Sequence, residues 1–492
     1  MKKAFDNEKY IKLQKESILE RINMFGNKLY LEMGGKLFDD LHASRVLPGF
    51  ESDVKIKLLA ELKDKLEIII CINASDIEKN RIRSDLGLSY DNEVLRLIDS
   101  FRDLGFYVSN IVITLYRGQP SAQAFATKLE RHGEKVHFHL YTKGYPNDIE
   151  TIVSDEGYGK NAYIPTTRPL VVVTAPGPNS GKLATCLSQL YHEYKNGVQA
   201  GYAKFETFPV WNLALKHAVN VAYEAATADI RDINMIDSYH FNAYNKLAVN
   251  YNRDLEVFPV VKNILKKITG KDIYKSPTDM GVNKVGFAII DDNEVQSASK
   301  REIVRRYFSY QVAYKKGQIS FDAVEKVKVL MNELEITESI IPCVKVANDV
   351  FNNTKKQCLA LELPDKQIIV GKTKNLLSAP GAVILNAMKY LAKIDDGVDL
   401  IADTVLKPIL LLKKDILKTR VSYLSLSDVL IALSICSVTN PMAKKCLEQL
   451  PLLQGCDAHC TYILNPAEES TLKKLGIYIT SEPYFLDNDL FI

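Results

Sequence analysis

The chain of 492 residues has almost no excess of either charge: 63 Lys and Arg stand against 60 Asp and Glu, a net of +3. That balance leaves no footprint for duplex nucleic acid, which needs a clustered basic face, and none for an anionic membrane. An apolar leader is missing too, because "MKKAFDNEKYIKLQKESILERINMF" reaches acidic residues before any hydrophobic segment of a signal peptide. Long hydrophobic runs are also lacking. The most apolar stretch, "LIADTVLKPILLLKKDIL" (Leu400 to Leu417), is broken by Lys407, Pro408, Lys413 and Lys414, which predicts a buried helix rather than a membrane span. The eight cysteines have no framework spacing, which suits reduced thiols. Without a G-x-S-x-G elbow or an H-E-x-x-H pair, serine hydrolase and zincin chemistry have no support. These absences describe a soluble, cytoplasmic protein. Its length calls for two or three cores.

What is present alternates between two periods. "LEIIICINA" is a continuous apolar run of strand length, as expected of a strand covered on both faces, and "NEVLRLIDSFRDLGF" follows with a helical stripe closed by Gly105. "NIVITLYRG", "SAQAFATKLERHG", "KVHFHLYTKG", "PLVVVTAP" and "SGKLATCLSQLYHEYKNG" continue the alternation. Such βαβ units predict an α/β fold with a mainly parallel, doubly wound sheet. From about residue 256 the pattern turns helical, and "KVGFAIIDD" reads as one more strand. A smaller α+β domain is expected from 337 to 492, after an α/β domain with helical extension over 1–336. It holds a hairpin turning at Pro364-Asp365 and a strand at "CTYIL".

The segment richest in chemistry is "VVVTAPGPNSGKLATCLSQLYHE" (Val171 to Glu193). A phosphate-binding P-loop reads G-x-x-x-x-G-K-[ST] between a strand and a helix. Here Gly177, Asn179, Ser180, Gly181, Lys182 and Leu183 fill that frame, with Pro176 where the first glycine belongs. Backbone N–H groups from Asn179 to Leu183 would converge on an anion at the positive end of the helix, and Lys182 would add a mobile charge. Leu183 replaces the hydroxyl that normally holds Mg²⁺, so metal ligands must come from elsewhere; Asp291 and Asp292, closing "VGFAIIDD", are the candidates. Lys204 and Glu206 alternate with Phe205 on the next strand and would face a second substrate. Lys160 and Arg168, in "SDEGYGKNAYIPTTRP", are further phosphate candidates, and Asp279 and Asn283 lie in a loop able to reach a ligand or to cap a turn. His137 with His139, and Cys456, His459 and Cys460 in "CDAHC", lack the partners that a metal site needs.

"RPLVVVTAPGPNSGKLATCLSQLYHE", "GYAKFETFPVWNL", "NYNRDLEVFPVVKNIL" and "SPTDMGVN", with "LYLEMGGKL" and "GCDAHC", resemble a family of bacterial cytoplasmic proteins known as uncharacterised protein family three-seven-one. The resemblance extends over essentially the whole chain. It implies a P-loop-type α/β domain followed by a smaller C-terminal domain, and no settled reaction. In the family pattern glycine often stands at the position of Asn179, and serine at that of Cys460.

Together these readings predict an enzyme that binds a nucleotide, ATP with Mg²⁺, and transfers or cleaves a phosphoryl group on a small molecule, with Lys182, Lys204 and Glu206 at the reacting centre. A phosphate-ligand sensor without turnover, or a nucleotide-independent enzyme acting on a phosphosugar, uses the same loop. The partner expected is a phosphate-bearing small molecule, with neither nucleic acid nor membrane; association into a homo-oligomer stays open.

Overall fold

The computed structural model describes residues 2–35, 37–38, 40–83, 87–419 and 423–486. By packing, it divides into two compact units, one made of Lys2–Tyr223 and Asp232–Gln296, the other of Glu224–Arg231 and the chain from Ser297 onward.

The first unit is built on seven strands: β1 (Leu29–Met33), β2 (Leu66–Asn73), β3 (Val108–Tyr116), β4 (Val136–Leu140), β5 (Leu170–Thr174), β6 (Gly201–Phe205) and β7 (Gly281–Val282). They lie in the order β7-β6-β1-β5-β2-β3-β4, and every pairing is parallel. All five residues of β5 are buried, which is why its sequence is a continuous apolar run and not an alternation. The helices α1 (Asn7–Met24), α2 (Tyr90–Asp103), α3 (Pro120–Arg131), α4 (Lys182–Lys195) and α5 (Asn252–Thr269) belong to this unit, and α4 packs against β1, β5 and β6.

The path of the chain through this sheet positions the site. From β2 it moves outward through β3 to β4. It then returns to insert β5 between β1 and β2, and from there crosses β1 to reach β6. The neighbours β2 and β5 therefore send their following connections in opposite directions. In open parallel sheets ligands bind at such a reversal, beyond the carboxyl ends of the two strands. The "PGPNSGK" loop leaves β5 at this point.

The second unit carries α6 (Asp292–Lys315) from Ser297 on, α7 (Phe321–Glu333) and α8 (Pro342–Thr354). A four-stranded sheet follows, with β8 (Cys358–Glu362), β9 (Ile368–Lys372), β10 (Asp457–Cys460) and β11 (Tyr478–Ser481) in the order β9-β8-β10-β11. The hairpin β8–β9 turns at Pro364-Asp365 as expected. The helices α9 (Ala379–Ala392), α10 (Asp403–Leu411) and α11 (Leu426–Cys436) complete the unit, α9 and α11 through side chains such as Val383, Ile384, Leu426 and Leu433 in its core. Arg305, almost fully buried, is bonded to Asp457 at 2.7 Å and to Glu302 at 3.2 Å, and its guanidinium lies 4.4 Å from the Tyr478 ring centre.

Three sequence expectations need correction. "VGFAIIDD" is not a strand: Val285–Ala288 is a 3₁₀ turn and Asp292 opens α6, so an apolar run of strand length was used to pack a turn. The strand expected at "CTYIL" lies one segment earlier, at Asp457–Cys460. "LIADTVLKPILLLKKDIL" does form a helix, but no residue from Asp403 to Ile416 is buried.

Candidate functional site

The loop between β5 and α4 is shaped by two left-handed residues, Asn179 at φ 58° and Gly181 at φ 81°, on either side of Ser180. Alternation of this kind turns successive N–H groups toward one side, the geometry of an anion-binding nest. Gly181 is required there for a second reason: a Cβ on it would stand 2.8 Å from the Thr114 side chain. Neighbouring strands hold the loop through its carbonyls. Thr114 Oγ1 donates to the Ser180 carbonyl at 2.8 Å, and Asn73 Nδ2 donates to the Asn179 carbonyl at 3.3 Å. Ser180, buried, donates its hydroxyl to the Gly177 carbonyl at 2.5 Å, so its side chain closes the loop and faces no ligand. Gly177 lies against Tyr90 at the start of α2.

With the carbonyls engaged, the amides are not. No N–H from Asn179 to Ala184 donates to an acceptor among the described residues, and α4 has Gly181 as an N-cap without a capping side chain. Helix N-termini leave donors that a cap, water or a ligand must satisfy, and the helix dipole adds partial positive charge there. Lys182 and Leu183, both half-buried, are the first two residues of α4, and Lys182 has no carboxylate partner among the described residues. Beneath them lie Cys71 and Cys186, fully buried; burial pushes the Cys71 thiol up to about 12, so it is no nucleophile at neutral pH.

Two strands from β5 sits the second group. Lys204 Nζ bonds Glu206 Oε1 at 2.7 Å and Asp254 Oδ2, in the first turn of α5, at 2.5 Å. Glu32, paired in register with both Val173 and Lys204, accepts from the Tyr202 hydroxyl at 2.8 Å. Burial disfavours the Lys204 charge, but Asp254, Glu206 and Glu32 outweigh it and hold the amine well above the usual lysine range. Burial pushes the Glu206 carboxyl up to about 7; Lys204 opposes the shift, while Asp254 and Glu32 add to it.

Of the residues singled out in the sequence, the loop residues Gly177 to Leu183 and the pair Lys204–Glu206 all belong to the carboxyl edge of the sheet. Lys160 does not reach the loop. It is bonded to Glu156 at 2.8 Å and precedes Asn161, whose side chain meets Ser188 and whose carbonyl meets His192, so it lies along the far half of α4. Arg168 binds the Lys63 and Leu66 carbonyls at the opposite, amino edge. Asp291 pairs with Lys2 at 3.1 Å and Asp292 with His217 at 2.9 Å, and no hydrogen bond or ion pair joins either to the loop among the described residues. Asp279 caps a short helix at Ser276, and Asn283 is buried against the Thr207 and Pro209 carbonyls. His459 lies between Thr480 and Glu482. No group of three or more His, Cys, Asp or Glu able to hold a metal ion occurs among the described residues. Glu32, Asp254, Thr114 and Asn73 were not foreseen. Asn73 and Asp254 share a signal, a polar residue closing an apolar run or opening the helix after one, as in "ICIN" and "YNRD", whereas Glu32 and Thr114 are polar residues within strands, in "LYLEM" and "VSNIVITLY".

Residues 3–335 match the domain of unknown function DUF1846, N-terminal, and residues 339–491 match the domain of unknown function DUF1846, C-terminal. The chain belongs to this family. It is similar over its full length to "UPF0371 protein" of Clostridium tetani strain Massachusetts / E88, at 55% identity over 500 residues and 99% of that relative. The same identity and coverage relate it to "UPF0371 protein" of Clostridium botulinum strain ATCC 19397 / Type A, and 54% over 502 residues relates it to that of strain Alaska E43 / Type E3. The two family segments meet between residues 335 and 339, whereas by packing α6 beyond Gln296 and α7 group with the C-terminal unit. No helix among the described residues is long and apolar enough to cross a membrane.

Proposed function

We propose that the sheet edge at the carboxyl ends of β2 and β5 binds the phosphate of a small phosphorylated molecule in a P-loop-like manner, through the amides from Asn179 to Ala184 and the Lys182 ammonium. The observation that carries this reading is the unspent set of amides at a strand-order reversal, beside a lysine without a carboxylate partner among the described residues. The neighbouring Lys204–Glu206 pair supports an enzyme over a passive binder. A carboxyl pushed up to about 7 can take and return a proton near neutral pH, and Lys204 keeps its positive charge at every physiological pH.

The residues present fit phosphate better than a magnesium–nucleotide complex. Leu183 supplies no hydroxyl, the Ser180 hydroxyl is turned inward, and Asp291 and Asp292 are engaged with Lys2 and His217 away from any strand end. A phosphorylated sugar or similar metabolite is therefore favoured over ATP with Mg²⁺. Isothermal titration of the full chain with inorganic phosphate, a hexose phosphate, and ATP with and without Mg²⁺ tests this, beside Lys182→Ala. Metal-independent binding that weakens at least about tenfold in the variant is expected. Absence of binding by every ligand, or equal affinity in the variant, removes the proposed site; binding of ATP alone and only with Mg²⁺ restores the nucleotide reading.

A further inference from the structure

Seven of the fourteen residues from Asp403 to Ile416 are Val, Leu or Ile, yet none of the fourteen is buried. The helix α10 and the wider turn Leu412–Ile416 that continues it run antiparallel to α11. The Ala402 N–H meets Cys436 Sγ at 3.4 Å, and Lys413 Nζ meets Asp428 Oδ2 at 2.5 Å. On the outer side Leu412, Ile416 and Leu417 are 43%, 64% and 60% exposed, and the stripe Ile431, Ile435, Val438 on and just beyond α11 is 60%, 53% and 83% exposed. Scattered exposed aliphatics are normal on a protein surface, but six of them on two adjacent helices make a candidate contact surface. Helices this short draw their stability from packing an apolar face; α10 turns Val405 onto the core and α11 buries Leu426 and Leu433 in it, which leaves the outer aliphatics for a further partner.

The charges indicate what covers it. Asp395, Asp396 and Asp399 precede α10 and Asp403 opens it, paired with Lys407 at 2.9 Å, while Lys414 and Lys418 stand exposed at its far end with only Asp415 of opposite sign between them. We propose that this two-helix face joins two copies of the chain across a two-fold axis, α10 of one copy lying antiparallel to α10 of the other. Antiparallel pairing sets the acidic end of each helix against the basic end of its mate, twice per dimer, as a self-complementary surface requires. An anionic bilayer, the other surface that takes up exposed apolar helices, would be repelled by the exposed Asp395, Asp396 and Asp399.

Sedimentation velocity of the full chain at protomer concentrations of about 10 μM, with and without vesicles of phosphatidylglycerol and phosphatidylcholine, decides between them. The expected result is a dimer without affinity for the vesicles. Leu412→Glu combined with Ile416→Glu should sediment as a monomer with an unchanged far-ultraviolet circular dichroism spectrum. Asp399→Lys with Asp403→Lys, and separately Lys414→Glu with Lys418→Glu, should each weaken association about tenfold or more, and the four together should recover it. A monomeric wild type, a dimer that survives the apolar substitutions, or uptake by vesicles overturns the proposal. Should the apolar variant misfold, the charge-swap rescue still decides it.

Discussion

Two lysines near the carboxyl edge of the same parallel sheet are placed in opposite circumstances. Lys204 is held between Glu206 and Asp254 with Glu32 close by, so its charge is spent within the fold. Among the described residues, Lys182 begins a helix whose first amides have no acceptor, and it has no carboxylate partner itself. A clamped charge organises its surroundings, whereas an open one beside unspent donors is the feature on which the proposed phosphate site rests. The difference teaches that polarity alone does not mark a binding site; the balance of donors against acceptors does.

Removing the clamped lysine should have the largest effect. Lys204→Met leaves Glu206 and Asp254 facing each other without a cation, and should lower the free energy of unfolding by about 3–5 kcal/mol in urea denaturation. An effect below about 1 kcal/mol would mean that the pair is only a surface contact. Next comes pH. The Glu206 carboxyl is raised from 4.5 to about 7, so the folded chain holds this proton more tightly than the unfolded one. Its contribution should therefore fall as pH rises between those two values and level off above, by about 3 kcal/mol in all. Glu206→Gln should abolish that slope in denaturation curves taken across the window, and an unchanged slope would refute the assignment. The open lysine should behave in the contrary way. Lys182→Ala is expected to leave stability within about 0.5 kcal/mol of wild type while lowering phosphate-ligand affinity by about 2 kcal/mol. Loss of stability without loss of binding would reverse the roles of the two lysines. Gly181→Ala tests the loop itself: the left-handed backbone and the contact with Thr114 should together cost about 1–2 kcal/mol by thermal denaturation.

Much of the fold was legible because βαβ alternation fixes both periodicity and direction. The runs at Leu66–Asn73, Val108–Tyr116 and Leu170–Thr174 are strands, and "KLATCLSQLYHEYK" is a helix over Lys182–Lys195. Reading failed where an apolar run had more than one use. Val285–Ala288 packs as a turn, which moved Asp291 and Asp292 off any strand end, and the apolar helix at Asp403–Leu411 is only partly covered among the described residues, with Val405 against the core. Lys160 and Arg168 looked alike in one basic loop, yet that loop passes along the far half of α4 and then to the amino edge of the sheet.

The sequence by itself determined the elements of the parallel sheet and the turn chemistry of "PGPNSGK", because burial on both faces and left-handed backbone positions each restrict residue choice locally. Tertiary structure alone decided that β5 inserts between β1 and β2, and that Asp254 and Glu32 reach Lys204. It also decided that Thr114 and Asn73 take up the loop's carbonyls and leave its amides open. Those outcomes depend on groups between 50 and more than a hundred residues apart along the chain, and only the completed sheet brings them within bonding distance.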